Sequence, residues 1–286
     1  MQPTSESPAP VPPAPELRAR TFECMGTVVS LTVPSTTDRL EAAATAVEDQ
    51  FRALDEQFSL FKPASEANRI ARGELSLMES SALMRGLYAD AVRWRRSTDG
   101  AFTPERPDGA LDLSGLVKGY AIAEAGRSLA ALGLADWCLN AGGDVLVSGS
   151  PTPSATRSGS RPGQPWLAGI VDPADRRTLL GAYPLGSVRH GGPRRLALAT
   201  SGSAERGDHI WTVGVRGPRG TGRSEFAQVS VAAADIVTAD VLATAIVAGG
   251  RATLDAVTSR WDVDVLTVAH DGALLATPGF RATSAA

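Results

Sequence analysis

Short strand-like runs dominate the second half of the chain, and this pattern constrains the fold more than any other feature. From Trp166 onward, four such runs are separated by turns rich in Gly, Pro and Arg: WLAGIVD, RLALAT, HIWTVGV and AQVSVAA. The runs VDVLTVAH (263–270) and ALLAT (273–277) predict a hairpin around Asp271 and Gly272. Helices interrupt these runs without a regular βαβ alternation, so the predicted class is α+β with antiparallel strands.

The first half of the chain predicts three amphipathic helices. Apolar residues recur at spacings of three and four from Leu40 to Phe58, from about Ser80 to Thr98, and from about Val117 to Gly133. Strands are predicted at TVVSLTV (27–33) and on both sides of the glycine turn in WCLNAGGDVLVSG (137–149). Further on, a helix carries Asp240 and a short helix follows at about 253–259.

Two segments are too polar or too rich in proline to bury a core. Residues 1–16 predict a disordered tail, and residues 150–165 predict a flexible loop. The remainder, 17–286, is long enough for a large core, in a single domain or in two closely packed lobes.

Composition excludes several classes of protein. A formal charge of −3 with scattered basic residues provides no field that would attract nucleic acid. Cys24 and Cys138 are too few for a disulfide framework or a zinc site and predict small buried side chains. The N-terminus lacks the pattern of a signal peptide, and no run reaches the ~18 apolar residues of a membrane span. We therefore expect a cytoplasmic protein, although a sequence trimmed of an export signal would look the same.

An aspartate and a threonine interrupt the apolar run TADVLATAIVAG (238–249). Asp240 and Thr244 are one helical turn apart, so their oxygens share a helix face. Together they suit a hard cation such as Mg²⁺, which often takes few protein ligands and completes its shell with phosphate oxygens and water. A helix-start aspartate, with Thr244 donating back to the Asp240 carbonyl, explains the same pattern. Hard oxygen ligands leave the choice among Mg²⁺, Mn²⁺ and Ca²⁺ open.

Three other segments place polar groups where the pattern leads us to expect apolar or turn residues. In DLSGLVKGYA (112–121), the start of a helix and Lys118 could together bind a phosphate. Alternatively, Ser114 is an ordinary N-cap and the lysine side chain lies in solvent. In NAGGD, Gly142 and Gly143 permit close backbone approach before Asp144, or form a plain turn. TSGSAERGDHI ends in His209, which is either a catalytic base or a structural histidine.

These segments together favour an enzyme that cleaves or transfers a nucleotide diphosphate. The usual cofactor signatures are absent, since the chain has no GxxxxGK[ST], no GxGxxG between a strand and a helix, no HExxH and no GxSxG. A P-loop or dinucleotide fold is therefore not predicted.

The order of the segments resembles the ApbE family, the Mg²⁺-dependent FAD:protein FMN transferases. The resemblance covers about residues 22–280. Its motifs, in chain order, are MGT, LDEQFSLFKPASEANRI, DLSGLVKGYA, LNAGGDVLVSG, ATSGSAERGDHI and TADVLATAIVAGG.

The resemblance implies both a fold and a reaction. The fold is a T-fold-like antiparallel lobe packed against a second α/β lobe, interleaved in one catalytic domain, with FAD in the cleft between them. The reaction transfers FMN from FAD to a Thr or Ser hydroxyl of an acceptor flavoprotein and releases AMP.

The resemblance also implies roles for individual residues. Asp240 and Thr244 would bind Mg²⁺ with a main-chain carbonyl near Gly115, and His209 and Asp240 would be the catalytic residues. The FAD site would be lined by Met25, Ser59, Lys118, Gly142, Gly143, Asp144 and Ser201.

Three positions depart from the family pattern. After His209 the chain lacks the usual Asp-Pro, Ala123 stands where an aspartate is usual, and Phe61 stands where tyrosine is common. Two alternatives to the transferase therefore stay open, namely an FAD pyrophosphatase that yields FMN and AMP, and a non-catalytic flavin-binding protein.

Overall fold

The computed structural model describes residues 16–152, 164–187, 193–202 and 224–284. Within these ranges, eight strands form one sheet and two strands form a second, smaller sheet. The strands are β1 (Leu17–Cys24), β2 (Thr27–Pro34), β3 (Trp137–Ala141), β4 (Asp144–Ser148), β5 (Trp166–Val171), β6 (Leu179–Leu185), β7 (Ala197–Gly202), β8 (Phe226–Ala233), β9 (Asp264–Ala269) and β10 (Leu274–Ala276).

The large sheet has the order β1-β2-β3-β4-β7-β8-β9-β10, and β5 pairs with β6 in the small sheet. Every described pair of neighbouring strands is antiparallel. The helices are α1 (Leu40–Phe58), α2 (Glu66–Ala71), α3 (Ala82–Ser97), α4 (Ser114–Ala131), α5 (Ile236–Arg260) and α6 (Pro278–Ser284), with a 3₁₀ turn at Leu77–Glu79.

The inner strands of the large sheet contribute side chains to a core on each face, since successive side chains of a strand point to opposite sides. On β7, Ala197 and Ala199 join the core beneath the helices, whereas Leu198 joins a second core on the other side. Helices α1, α4 and α5 cover the first face. The β5–β6 hairpin and α6 cover the second face.

A buried polar cluster holds the β5–β6 hairpin against the second face. The Tyr183 hydroxyl donates to Asp264 Oδ2 at 2.5 Å, and Arg195 Nε donates to the same oxygen at 3.2 Å. Arg195 also pairs with Asp262. Since Tyr183, Arg195 and Asp264 are all buried, this cluster joins the hairpin to the end of the sheet where β9 begins.

Helix α5 is central to the first core. Asp235 caps its start by accepting from the Thr238 N–H at 2.8 Å. Gly250 interrupts it with φ 65° and ψ −151°, which agrees with the separate short helix predicted beyond this point. In the described ranges it is also the one helix long and apolar enough to cross a membrane, but 61% of its most apolar window is buried within the protein. Its position is that of a core helix.

The structure confirms the α+β prediction and the long helices and strands, and adds four elements that the pattern did not predict. These are β1, β6, α2 and α6. Cys24 is buried as predicted, whereas Cys138 is only partly buried. The predicted tail up to residue 15, most of the predicted loop (153–163) and the predicted strand HIWTVGV lie outside the described residues.

Candidate active site

Asp240 is buried in α5, with 3% of its surface exposed. Its Oδ2 accepts a hydrogen bond from the backbone N–H of Gly119 in α4, at 2.9 Å. A buried carboxylate is costly without such a donor or a cation. The carboxylate therefore faces the first turns of α4 rather than solvent.

Thr244, one turn further along α5, lies against two other elements. Its Oγ1 is 3.2 Å from Oγ of Ser201 on β7. A Cβ placed on Gly115 would lie 3.7 Å from Thr244 Cγ2, so the start of α4 lies close to the threonine. The structure thus brings together Asp240, Thr244 and Gly115, the three residues predicted to bind a cation.

The Gly119 N–H links the carboxylate to the Gly115 carbonyl. In a regular α-helix this N–H donates to the carbonyl four residues earlier, which is that of Gly115. Because the N–H also donates to Asp240, the carbonyl competes with a carboxylate for the same proton. A carbonyl bonded less completely within its helix is better able to give a lone pair to a cation.

Lys118 forms a buried ion pair with Asp144, the first residue of β4. Its Nζ is 2.5 Å from Asp144 Oδ2, and the two side chains are 12% and 0% exposed. Asp144 Oδ1 accepts from the backbone N–H of Thr200 at 2.9 Å. The alternative of a solvated lysine is therefore wrong.

The alternative that Ser114 caps α4 is also wrong. The N-cap residue is Leu113, which makes no side-chain cap, and Asp112 Oδ1 instead accepts from the Ser114 N–H at 2.8 Å. An aspartate two residues before a helix is a recognisable start signal, so the sequence held this information.

The two turns predicted to line the flavin site are neighbours at one end of the large sheet. Met25, in the β1–β2 turn, has a φ of 52°, and Gly142, in the β3–β4 turn, has a φ of 60°. The Gly142 N–H donates to the Val28 carbonyl at 3.1 Å. A Cβ on Gly142 would lie 2.3 Å from Thr27 Oγ1, so no other residue fits this position. The close approach predicted for this glycine is thus made by the neighbouring turn.

Gly143 and Ser59 each occupy a local turn. The Gly143 N–H donates to Asn140 Oδ1 at 2.9 Å. Ser59 ends α1, its Oγ accepts from the Phe61 N–H at 3.3 Å, and its carbonyl accepts from Ser65 Oγ at 2.6 Å. Cys24, next to Met25, is affected by the charges of Asp55 in α1 and of Lys62, three residues after Ser59. Burial is the largest cause that raises the pKa of that thiol.

The donor set around Asp240 suits a hard cation with few protein ligands. In the described part of the chain, no group of three or more His, Cys, Asp or Glu side chains could hold a metal. One carboxylate, one or two hydroxyls and a helix carbonyl remain, and all of them are oxygens. Mg²⁺ binds in this way when phosphate oxygens and water complete its octahedron. His209, the predicted base, lies outside the described residues.

Sequence reasoning missed Gly119 and Thr200, which orient the site through their backbone N–H groups. Gly119 has no side chain, and the Thr200 hydroxyl pairs with Ser230 instead. The residue types therefore gave no indication of this role. Only the small size of Gly119 gave a signal, because a Cβ there would lie 3.0 Å from Asp240 Oδ2.

The sequence of the chain matches a known protein family. The ApbE family model matches residues 25–106 and 103–267. The FAD:protein FMN transferase of Rhodobacter capsulatus is 33% identical over 215 residues, which are 72% of this chain and 37% of that protein. The chain therefore matches little more than a third of the length of this curated relative.

Solved structures agree at the level of the fold. The ApbE protein of Thermotoga maritima has a TM-score of 0.72 at 21% identity, covering 94% of this chain and 99% of its own. The apo form of the Pseudomonas stutzeri flavinyl transferase ApbE has a TM-score of 0.69 at 18% identity, covering 94% and 98%. The flavin transferase ApbE of Vibrio cholerae has a TM-score of 0.66 at 19% identity, covering 94% and 100%. The family model, which spans most of the sequence, together with this shared fold shows that the chain belongs to the ApbE family.

Proposed function

We propose that the protein transfers FMN from FAD to a Thr or Ser hydroxyl of an acceptor protein, releases AMP, and requires a divalent cation, Mg²⁺ in the first instance. The observation that carries this proposal is the buried Asp240 carboxylate, which shares a helix face with Thr244 and points at the start of α4. The name of the Rhodobacter capsulatus relative supports the choice of substrate and acceptor class.

In the described ranges, the ligands that the site offers to the cation are all oxygens. Asp240 and Thr244 would hold it through their side chains, and Gly115 through its carbonyl. A bound Mg²⁺ would neutralise negative charge on the FAD diphosphate. Because the described residues contribute a single carboxylate, the phosphate oxygens of FAD would complete the shell, so that cation and substrate bind together.

The chain's own residues orient the diphosphate and manage one proton. Lys118 would attract phosphate oxygens at the positive end of α4, while Asp144 holds the lysine in place. His209 would take the proton from the acceptor hydroxyl, whose oxygen attacks the phosphorus of the FMN moiety. The bond to the AMP oxygen then breaks, and AMP leaves with the electron pair. Met25, Ser59, the glycine turn and Ser201 would line the flavin site.

Mass spectrometry of an acceptor peptide tests the proposal. Purified protein is incubated with FAD, Mg²⁺ and a panel of peptides that each contain a flavinylation threonine. An FMN adduct on the threonine is the expected result, and Asp240→Asn should abolish it. Asp255→Asn is the matched control, because Asp255 lies on the same helix with 68% of its side chain exposed and should leave the adduct yield unchanged.

Two other outcomes would overturn the proposal and identify what replaces it. Release of AMP and free FMN, with no adduct on any peptide, would make the protein an FAD pyrophosphatase in which water replaces the hydroxyl. Tight FAD binding without turnover under Mg²⁺, Mn²⁺ or Ca²⁺ would make it a non-catalytic flavin-binding protein.

A further inference from the structure

We infer that Ser201 is a positioning residue for the cation site, and that it acts through the hydroxyl of Thr244. This inference rests on the proposed function, because it concerns the same cation. It assigns Ser201 a role in holding a cation ligand, beyond the contact with FAD that the family resemblance implies.

The direction of Ser201 follows from its place on β7. Neighbouring residues of a strand point to opposite faces of the sheet. Thr200 points to the second face, where its Oγ1 is 2.8 Å from Oγ of Ser230 on β8. Ser201 points to the helix-covered face, where its Oγ is 3.2 Å from Thr244 Oγ1. Ser201 therefore contacts Thr244, the predicted cation ligand, and lies on the opposite face from the Thr200–Ser230 pair.

The contact between Ser201 and Thr244 matters because it determines where the Thr244 hydroxyl directs its proton. A neutral hydroxyl that offers a lone pair to a cation keeps its proton and must direct it to another acceptor. In a helix the default acceptor is the carbonyl four residues earlier, here that of Asp240. Ser201 Oγ provides an acceptor on the sheet, so the Thr244 hydroxyl can turn away from its own helix and present a lone pair toward α4.

The rest of the site fixes Ser201 in place. The backbone N–H of the preceding residue, Thr200, donates to Asp144, which is paired with Lys118. Thr244 and Asp240 follow on α5, and Asp240 returns to Gly119 beside Lys118. These contacts form a closed circuit through α4, β4, β7 and α5. Movement of Ser201 would disturb both the lysine and the cation ligands.

Binding of Mn²⁺, followed by electron paramagnetic resonance, tests the inference without relying on turnover. Mn²⁺ is titrated in the presence of saturating adenosine diphosphate, which carries a diphosphate but no flavin to transfer. Loss of an outer-shell partner typically lowers metal affinity by about 10–100-fold. We expect Ser201→Ala to weaken Mn²⁺ binding by about 10-fold, the low end of that range, because the lost partner is a neutral hydroxyl.

Ser230→Ala is the matched control. It removes a buried hydroxyl from a hydroxyl pair on the other face of the same sheet, and it should leave Mn²⁺ affinity unchanged. A thermal melt of each variant verifies that both proteins fold. Equal loss of Mn²⁺ affinity in both variants would overturn the inference, because a general loosening of the sheet would then explain it.

A double-mutant cycle separates positioning from direct ligation. If Ser201 acts through Thr244, adding Ser201→Ala to Thr244→Ala should weaken Mn²⁺ binding no further. A further loss would show that the serine binds the cation itself and would overturn the inference.

Asp240→Ala distinguishes failure of the inference from failure of the proposed function. If wild type shows no saturable Mn²⁺ binding, or Asp240→Ala leaves it intact, the proposed cation site fails. If Asp240→Ala abolishes binding while Ser201→Ala has no effect, only the role of Ser201 fails.

Discussion

Replacing Gly119 by alanine should separate helix propensity from crowding at the Asp240 carboxylate. Alanine is more favourable than glycine inside a helix by about 0.8–1.0 kcal/mol. At Gly119 the new Cβ would lie 3.0 Å from Asp240 Oδ2, 3.2 Å from Asp240 Cβ and 3.3 Å from the Cα of Val237. Overpacking of this kind costs about 1–3 kcal/mol. The gain and the cost together predict a variant between neutral and about 2 kcal/mol less stable than wild type.

Gly86→Ala supplies the reference for this measurement. Gly86 is exposed within α3, and a Cβ there would meet nothing within 4 Å. It should therefore show the propensity gain alone. The difference between the two variants isolates the crowding cost of about 1–3 kcal/mol, since the propensity term cancels.

Thermal melts of both variants measure this difference. One kcal/mol corresponds to about 2–4 °C in domains of 150–250 residues. We expect Gly86→Ala to melt above wild type and Gly119→Ala to melt at or below it, with weaker Mn²⁺ binding in Gly119→Ala because the carboxylate is displaced. Equal stabilisation of the two variants, with unchanged Mn²⁺ affinity in Gly119→Ala, would refute the packing described around Asp240.

Three further predictions concern the rest of the site and the sheet. Asp144→Ala removes the buried ion-pair partner of the Lys118 ammonium, so thermal or chemical unfolding should show a loss of about 3–5 kcal/mol, and a loss below about 1 kcal/mol would contradict the buried pair. Gly142→Ala should lower the melting temperature far more than Gly109→Ala, because both positions have positive φ but only the first meets another residue; equal shifts would count against the turn contact. Burial raises the pKa of the Cys138 thiol to about 12, so at pH 8 the folded protein should react with a disulfide reagent much more slowly than the unfolded protein; equal rates would disprove the shift.

The same pKa shift sets the sign of a stability effect at high pH. Below pH 9.0, the ordinary thiol value, Cys138 is neutral in both the folded and the unfolded chain and contributes nothing. Between that value and about 12, the unfolded chain loses the proton while the folded chain keeps it, so stability falls as pH rises. Cys138→Ala should remove this part of the decline, which unfolding at pH 8 and pH 10.5 would measure.

Periodicity alone predicted the elements that position the site. The long helix from Leu40 was predictable because it buries one apolar face, and the helix around Asp240 because it is a long apolar run that is buried almost all round. Strand β1 was missed because all but two of its residues are exposed, so its alternation is faint. Strand β6 was missed because glycine and proline interrupt its pattern, and α2 because six residues are too few to show a period.

The sequence indicated candidate side chains for the site, but neither their pairing nor the backbone contacts that orient them. Asp240 and Thr244 were identified as candidate ligands because burying polar side chains in an apolar helix is costly unless they have partners. The Lys118–Asp144 pair could not be predicted from spacing, since the two residues lie on separate elements that meet only when α4 packs on the sheet. The sequence does not show which backbone N–H will donate to Asp240, because every residue except proline has the same donor.

The dependence of AMP release on Mg²⁺ tests whether the reaction requires a cation held by Asp240. AMP is quantified with FAD and acceptor peptide present while Mg²⁺ is varied, for wild type, Asp240→Asn and the exposed control Asp255→Asn. We expect a saturable Mg²⁺ dependence for wild type and the control, and a loss of at least about 10²-fold in rate for Asp240→Asn. Undiminished AMP release in the presence of a chelator, or from Asp240→Asn, would contradict it.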